Sequence, residues 1–138
     1  MINRMSYIEI VSSKHAQDII AKHCDDLTAT CHGIAKECGW WNDPKTGLPL
    51  DKNVGEMLCL VHSEVSEAME GHRKDLMDDK LPNRKMFEVE LADAVIRIFD
   101  IAGGLGIDIG GAMAEKLIYN TKREDHKPEN RANGGKKY

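Results

Sequence analysis

The sequence is poor in several things, and each scarcity narrows the field. Aromatic residues make up only 5% of it, so any core must be built from Ile, Leu, Val, Met and Ala. Basic residues do not predominate: 19 Lys and Arg stand against 23 Asp and Glu, a net charge of −4. A chain of that balance is a poor partner for a nucleic-acid polymer, whose backbone calls for a basic face. No apolar run approaches the ~20 residues of a membrane-spanning helix. Residues 1–10 carry no long apolar stretch of the kind that begins a secretory signal, so a cytoplasmic location and no membrane partner are expected. The four cysteines, Cys24, Cys31, Cys38 and Cys59, form no C-x-x-C pair, which argues against zinc. Three of them recur at every seventh position and are expected to be buried small hydrophobes on one side of a helix. No segment alternates apolar and polar residues as a half-buried strand would.

What remains is enough for one folded helical unit. The apolar fraction is 41% and the charged fraction 30% over 138 residues, about one domain. The spacing predicts a first helix from Ser6 to about Cys38, diluted by polar residues and open to a break. A loop over Gly39–Asp51 holds two prolines, two glycines and the pair Trp40-Trp41. A second helix begins at Asn53, an N-cap residue with Glu56 in the capping-box position, and ends near Lys74. A third runs from about Arg84 to Leu105, stopped by Gly103, Gly104 and Gly106, and a fourth from Ile109 to Glu124. The expected architecture is all-α, a bundle of about four helices over 1–124, followed by a polar tail, 125–138, of irregular or mobile chain. The third helix is apolar on nearly every side between Leu91 and Ala102, which predicts burial at the centre or at a subunit interface.

Its few polar residues carry the chemistry. Glu90, Asp93, Arg97 and Asp100 fall at i, i+3, i+7 and i+10, one stripe on an otherwise dry helix. Carboxylates taken out of water without a cation are costly and tend to protonate. The second helix offers a similar pair, Glu64 and Glu67 at i and i+3, bordering Met57, Val61 and Ala68. A lone Glu-x-x-Glu is usually a solvated face. Two acidic pairs on neighbouring amphipathic helices instead bring four carboxylates together, an arrangement a hard divalent cation relieves. Oxygen-only ligands favour Mg²⁺ or Mn²⁺. The bland alternative is an ion pair from Arg97 to Asp93 or Asp100.

On the fourth helix Lys116, Asn120 and Arg123 stand at i, i+4 and i+7, a combination suited to phosphate oxygens. Basic residues near a helix C-terminus are also common stabilisers. Of Trp40 and Trp41, one is expected in the core. The other could stack on a base, an interaction of about 1–3 kcal/mol. The six histidines, His32 among them, point to nothing in particular.

With these residues in view, the chain resembles the MazG-like all-α nucleoside triphosphate pyrophosphohydrolases, relatives of the dimeric dUTPases. The pattern E-x-x-E, a gap, then E-x-x-D reads here as Glu64-Val-Ser-Glu67 and Glu90-Leu-Ala-Asp93. The stretch Glu115 to Arg123, with K-x-x-x-N-x-x-R, is similar to the family's fourth-helix segment, and Gly39-Trp40-Trp41 to its base-pocket region. The resemblance covers roughly Gly39 to Arg123. It implies Mg²⁺-dependent hydrolysis of a (d)NTP to the monophosphate and pyrophosphate, for control of the nucleotide pool, by a dimer or tetramer. Carried over, Glu64, Glu67, Glu90 and Asp93 hold the metal; one carboxylate not fully committed to the ion could orient or deprotonate water, and Glu67 is the one expected to. Lys116, Asn120 and Arg123 contact phosphate or sugar, and Trp40 or Trp41 the base. The base itself stays open. Two other readings compete. A di-iron bundle is weakened because no Glu has His three residues on. A non-catalytic nucleotide-binding or oligomeric adaptor module on the same fold is disfavoured by the intact acidic and basic sets.

Overall fold

The computed structural model describes residues 6–135; the first five residues and the tail's Lys136, Lys137 and Tyr138 lie outside the described part. Among the described residues there are six α-helices, α1 (Tyr7–Val11), α2 (Lys14–Glu37), α3 (Val54–Lys74), α4 (Met86–Leu105), α5 (Ile109–Thr121) and α6 (Pro128–Ala132), with a 3₁₀ turn at Glu124–His126. Among the described residues there is no strand, only two isolated bridges, Asn42 with Pro49 and Met77 with Lys85. The all-α expectation holds, with four long helices and two short ones. No helix among the described residues is long and apolar enough to cross a membrane.

The chain divides into two compact units, 1–26 with 108–138, and 27–107; α2 contributes to both. In the first unit, Ser6 opens α1 with a full capping box, accepting from Glu9 N–H while the Glu9 carboxylate accepts from its own N–H. The predicted first helix breaks at Ser12-Ser13. Their hydroxyls bond back to the carbonyls of Ile8 and Ile10, and Ser13 Oγ then accepts from Ala16 N–H to start α2. Gly110 brings α5 onto α2, since a Cβ there would stand 2.7 Å from the Ala21 carbonyl oxygen. The polar tail is more ordered than its composition suggested: residues 124–132 form the 3₁₀ turn and α6, the latter started by Pro128 at its first turn.

In the second unit α3 and α4 form a helical hairpin. Asn53 caps α3 by accepting from Glu56 N–H, and the helix ends at Lys74 as the sequence indicated. The connector is fixed by Asp78, buried and accepting from the N–H groups of Lys80 and Leu81. Small residues line the seam: Ala68 and Gly71 on α3, Ala94 and Ala102 on α4 are buried. They let the two backbones approach closely, and this draws Glu64 and Glu90, on the same faces, into the seam as well.

Two expectations are corrected here. Gly103 and Gly104 do not stop α4; they lie inside it, and Gly106, in the left-handed region at φ 66°, is the cap. Nor is α4 buried all round within this chain. Its large aliphatics Leu91, Val95, Ile96 and Ile98 are exposed while Glu90 is buried. The cysteines also divide: Cys24 is buried, Cys31 half-buried, and Cys38 and Cys59 exposed, all four free thiols.

Candidate functional site

The second unit gathers its titratable residues where α3 faces α4. Carboxylate oxygens of Glu64, Glu90 and Asp93 all lie within 4.8 Å of one another. Glu64 is 7% exposed and Glu90 9%, whereas Asp93 is exposed and forms the open side of the group. Glu90 feels the crowding most. Burial, a hydrogen bond with Glu64 and the charges of Glu67, Glu64 and Asp93 push its carboxyl up to about 7. Glu67, one turn beyond Glu64, is exposed and stands outside the group of three, although its charge reaches Glu90.

Among the described residues, Arg97 is the cation hydrogen-bonded to the group. Its Nε donates to Glu64 Oε1 at 2.5 Å, across the seam from α4 to α3. The pairing with Asp93 or Asp100 that the spacing suggested is therefore not the one formed. The arginine has reached the deeply buried carboxylate opposite, where an unpaired charge would cost most.

Asp100, further along the stripe, meets a different environment. Its Oδ1 accepts from Trp41 Nε1 at 2.7 Å and pairs with His32 Nδ1 at 2.9 Å. The ring of His32 stands edge-on to Trp41, with centroids 4.9 Å apart at 80°. Lys52 Nζ lies 5.2 Å from the centroid of the same indole. Gly104 makes room for it, since a Cβ there would sit 1.9 Å from Trp41 Cη2. Gly103 does the same for His32, at 2.4 Å from its Cβ. The loop that delivers Trp41 is tied internally. The Asp43 carboxylate accepts from the N–H groups of Lys45 and Thr46, and Leu50 N–H donates to the Trp41 carbonyl. Trp41 is thus the packed indole of the pair, and Trp40, 67% exposed, is the free one.

Both tryptophans, Asp93, Arg97 and Asp100 line one cavity of about 580 Å³, the size of a small-molecule site. Aliphatic side chains, Ile34, Leu60 and Ile96 among them, complete its wall.

The predicted basic face belongs to the other unit and takes a different form. Arg123 lies past the end of α5, and its guanidinium is held by Asp125 through two hydrogen bonds of 2.9 and 2.6 Å. Lys116 Nζ lies 4.5 Å from the Tyr119 ring centroid, and Asn120 Oδ1 is buried without a hydrogen-bond partner. Lys116 and Asn120 stand one turn apart on α5, and Arg123 lies beyond its end. Sequence reasoning missed His32 and Lys52 altogether; nothing in their spacing tied them to Trp41. Asp100 lay in the acidic stripe and carried that signal, but its partners come from outside the helix.

No family model matches the chain, and neither a curated protein nor a solved structure matches it.

Proposed function

We propose that the chain is a Mg²⁺-dependent nucleoside triphosphate pyrophosphohydrolase that converts a (d)NTP to the (d)NMP and pyrophosphate and so serves nucleotide-pool control. The observation that carries this reading is a single cavity lined both by Asp93, the open carboxylate of the acidic cluster, and by two indoles. Such a wall suits a ligand with a polyphosphate and a planar ring. The sequence resemblance to MazG-like enzymes points to the same chemistry.

The donor set fits a hard cation. Three carboxylates lie within 4.8 Å, one of them inclined to hold a proton near neutrality, and among the described residues Arg97 is the cation that hydrogen-bonds one of them. Glu64, Glu90 and Asp93 would hold Mg²⁺ or Mn²⁺, with Glu67 as the fourth carboxylate of the resemblance. When bound, the ion neutralises phosphate oxygens and lowers the pKa of a coordinated water. Glu67, exposed and outside the tight group, is the carboxylate free to orient an attacking water or take its proton. Phosphoryl transfer asks for charge neutralisation and alignment more than covalent help, and Arg97 at the cavity wall adds a donor for phosphate. The roles of Lys116, Asn120 and Arg123 on phosphate or sugar rest on the resemblance alone. Trp40 is the indole available for stacking on a base.

Self-association to a dimer or tetramer belongs to the same proposal. Val65 and Met69 on α3 and Leu91, Val95 and Ile98 on α4 are exposed apolar side chains of the hairpin, the composition of a covered interface.

The Arg97–Glu64 pair favours one second reading, a non-catalytic nucleotide-binding or adaptor module in which arginine replaces the metal. Incubation with each dNTP and Mg²⁺, with detection of pyrophosphate, separates the two. Release from at least one nucleotide, lost on chelation, is the expected result; no release from any of them leaves the binding module.

A further inference from the structure

Asp100 is only partly used by the fold. Both of its protein contacts, the Trp41 indole N–H and His32 Nδ1, fall on Oδ1. Two donors saturate one carboxylate oxygen. No described residue has a hydrogen bond to Oδ2. The side chain is 23% exposed, and it lines the cavity among apolar neighbours such as Ile96 and Ile101. An acceptor with no donor of its own, set in a largely apolar wall, discriminates strongly. It rewards a ligand that brings an N–H to that point and penalises one that brings a carbonyl oxygen.

The surroundings of Asp100 say what kind of ligand this is. Trp41 is immobilised: Asp100 holds its N–H, Gly104 accommodates its ring, His32 abuts it and Lys52 lies over it. Trp40 lines the same cavity with its indole exposed. A rigid aromatic wall, a free aromatic surface and one acceptor suit a flat heterocycle with a donor on its edge.

We infer that Asp100 is a specificity-determining residue that selects a base bearing an exocyclic amine, as cytosine, adenine and guanine do, over uracil and thymine. This rests on reading the cavity as a nucleotide site, and it adds a preference that the acidic cluster cannot supply. Oδ1 keeps Trp41 and His32 in place while Oδ2 accepts from the amine. In uracil and thymine the 4-position is a carbonyl oxygen, and the one edge donor, N3–H, stands between two carbonyl oxygens that repel a carboxylate, whereas an exocyclic amine projects its N–H clear of them.

The test uses the full chain and requires no turnover. Binding of dCMP, dAMP, dGMP, dUMP and dTMP is measured by calorimetry or tryptophan quenching, for the native protein and for Asp100→Asn. At least one amino-bearing nucleotide is expected to bind about 10- to 100-fold more tightly than dUMP and dTMP, the range of one hydrogen bond to a charged group. In Asp100→Asn the amide oxygen can still accept from Trp41, and the amide N–H₂ offers a donor to the cavity. The preference should fall to within about threefold or invert. Equal affinities in the native protein overturn the inference whether or not the variant folds, and so does a failure to bind any of the five. A preference that survives in Asp100→Asn, with all affinities lowered alike, makes Asp100 a support for Trp41 and nothing more. Amine-selective binding without pyrophosphate release from any dNTP removes the hydrolase reading and leaves this one standing. Hydrolysis without base discrimination does the reverse.

Discussion

Glu90 and Asp100 stand on one stripe of α4, and their situations are opposite. Glu90 faces α3, which presents another carboxylate, and the crowding drives its carboxyl up to about 7. Asp100 faces the Trp loop and the end of α2, which present an indole N–H and an imidazole. The helix, the periodicity and the residue chemistry are alike; only the element across from each differs. The difference teaches that a polar stripe on an apolar helix specifies where charge enters the interior and not what it does there. At one place unlike partners make a fixed anchor. At the other, like charges leave an unbalanced cluster fit for a cation.

The largest expected effect breaks the cluster side of this comparison. Asp93→Asn removes one charge from the group of three with little change in volume. Mg²⁺-dependent pyrophosphate release should fall at least about 100-fold, more than the loss of an outer-shell partner costs at a metal site. The far-UV circular dichroism should be unchanged. Full activity in this variant removes Asp93 from the metal set.

Breaking the anchor side is the next largest. Gly104→Ala places a Cβ where Trp41 Cη2 stands 1.9 Å away, so the indole must leave or α4 must shift. Overpacking of this kind costs about 1–3 kcal/mol, read as a lowered urea midpoint. Tryptophan emission should shift as the loop undocks, and affinity for nucleoside monophosphates should drop. Divalent-cation binding, proposed for the other end of the stripe, should persist. Simultaneous loss of both would mean that the two environments are a single unit.

How far the sequence foretold this arrangement depends on what each feature needs. The bounds of α3, the Trp-bearing loop and the acidic stripe were legible because they rest on local signals: a cap, turn residues and helical spacing. The partner of Arg97 was not. Spacing along α4 offered Asp93 and Asp100, but the guanidinium crosses to Glu64, and that choice is made by the approach of two helices. Gly103 and Gly104 read as a stop because glycine favours helix ends; their use is to admit His32 and Trp41, which only the packed structure reveals. The division at Ser12-Ser13 was likewise hidden, since serine serves equally inside a diluted helix and at the start of a new one. The burial predicted for α4, at the centre or at a subunit interface, is not met within this chain, where Leu91, Val95, Ile96 and Ile98 are exposed. Composition says that a face is apolar, whereas the element that covers it need not come from the same chain.

A third expectation concerns Glu90 alone. Its carboxyl titrates at about 7 in the folded protein against an ordinary 4.5, so the folded state holds the proton more tightly than the unfolded one. In the presence of a chelator, its contribution to stability is greatest below about pH 4.5, declines as the pH rises towards 7, and is constant above. Urea unfolding across that interval should show the decline, and Glu90→Gln, which cannot ionise, should flatten it. Asp100→Asn should leave the decline in place, because Asp100 is not among the charges acting on Glu90. An identical slope in native protein and Glu90→Gln assigns the pH dependence elsewhere.

The smallest effect is the most discriminating, because it concerns Arg97, which hydrogen-bonds the cluster. Arg97 is 42% exposed on its side chain while Glu64 is buried, so the pair is well shaped but screened on one side. Pairs with one partner in solvent contribute between zero and about 1 kcal/mol. A divalent cation entering among Glu64, Glu90 and Asp93 must compete with this arginine for the Glu64 oxygen. Arg97→Gln removes the competitor and keeps a polar side chain at the cavity wall. Affinity for Mn²⁺ alone, measured by calorimetry without nucleotide, should rise by up to about fivefold. If arginine instead replaces the metal, as in a binding module, native protein and Arg97→Gln should both fail to take up the ion. Uptake of the ion that rises in Arg97→Gln therefore assigns Arg97 as the guard of a metal site, and no uptake in either protein assigns it to the metal's place.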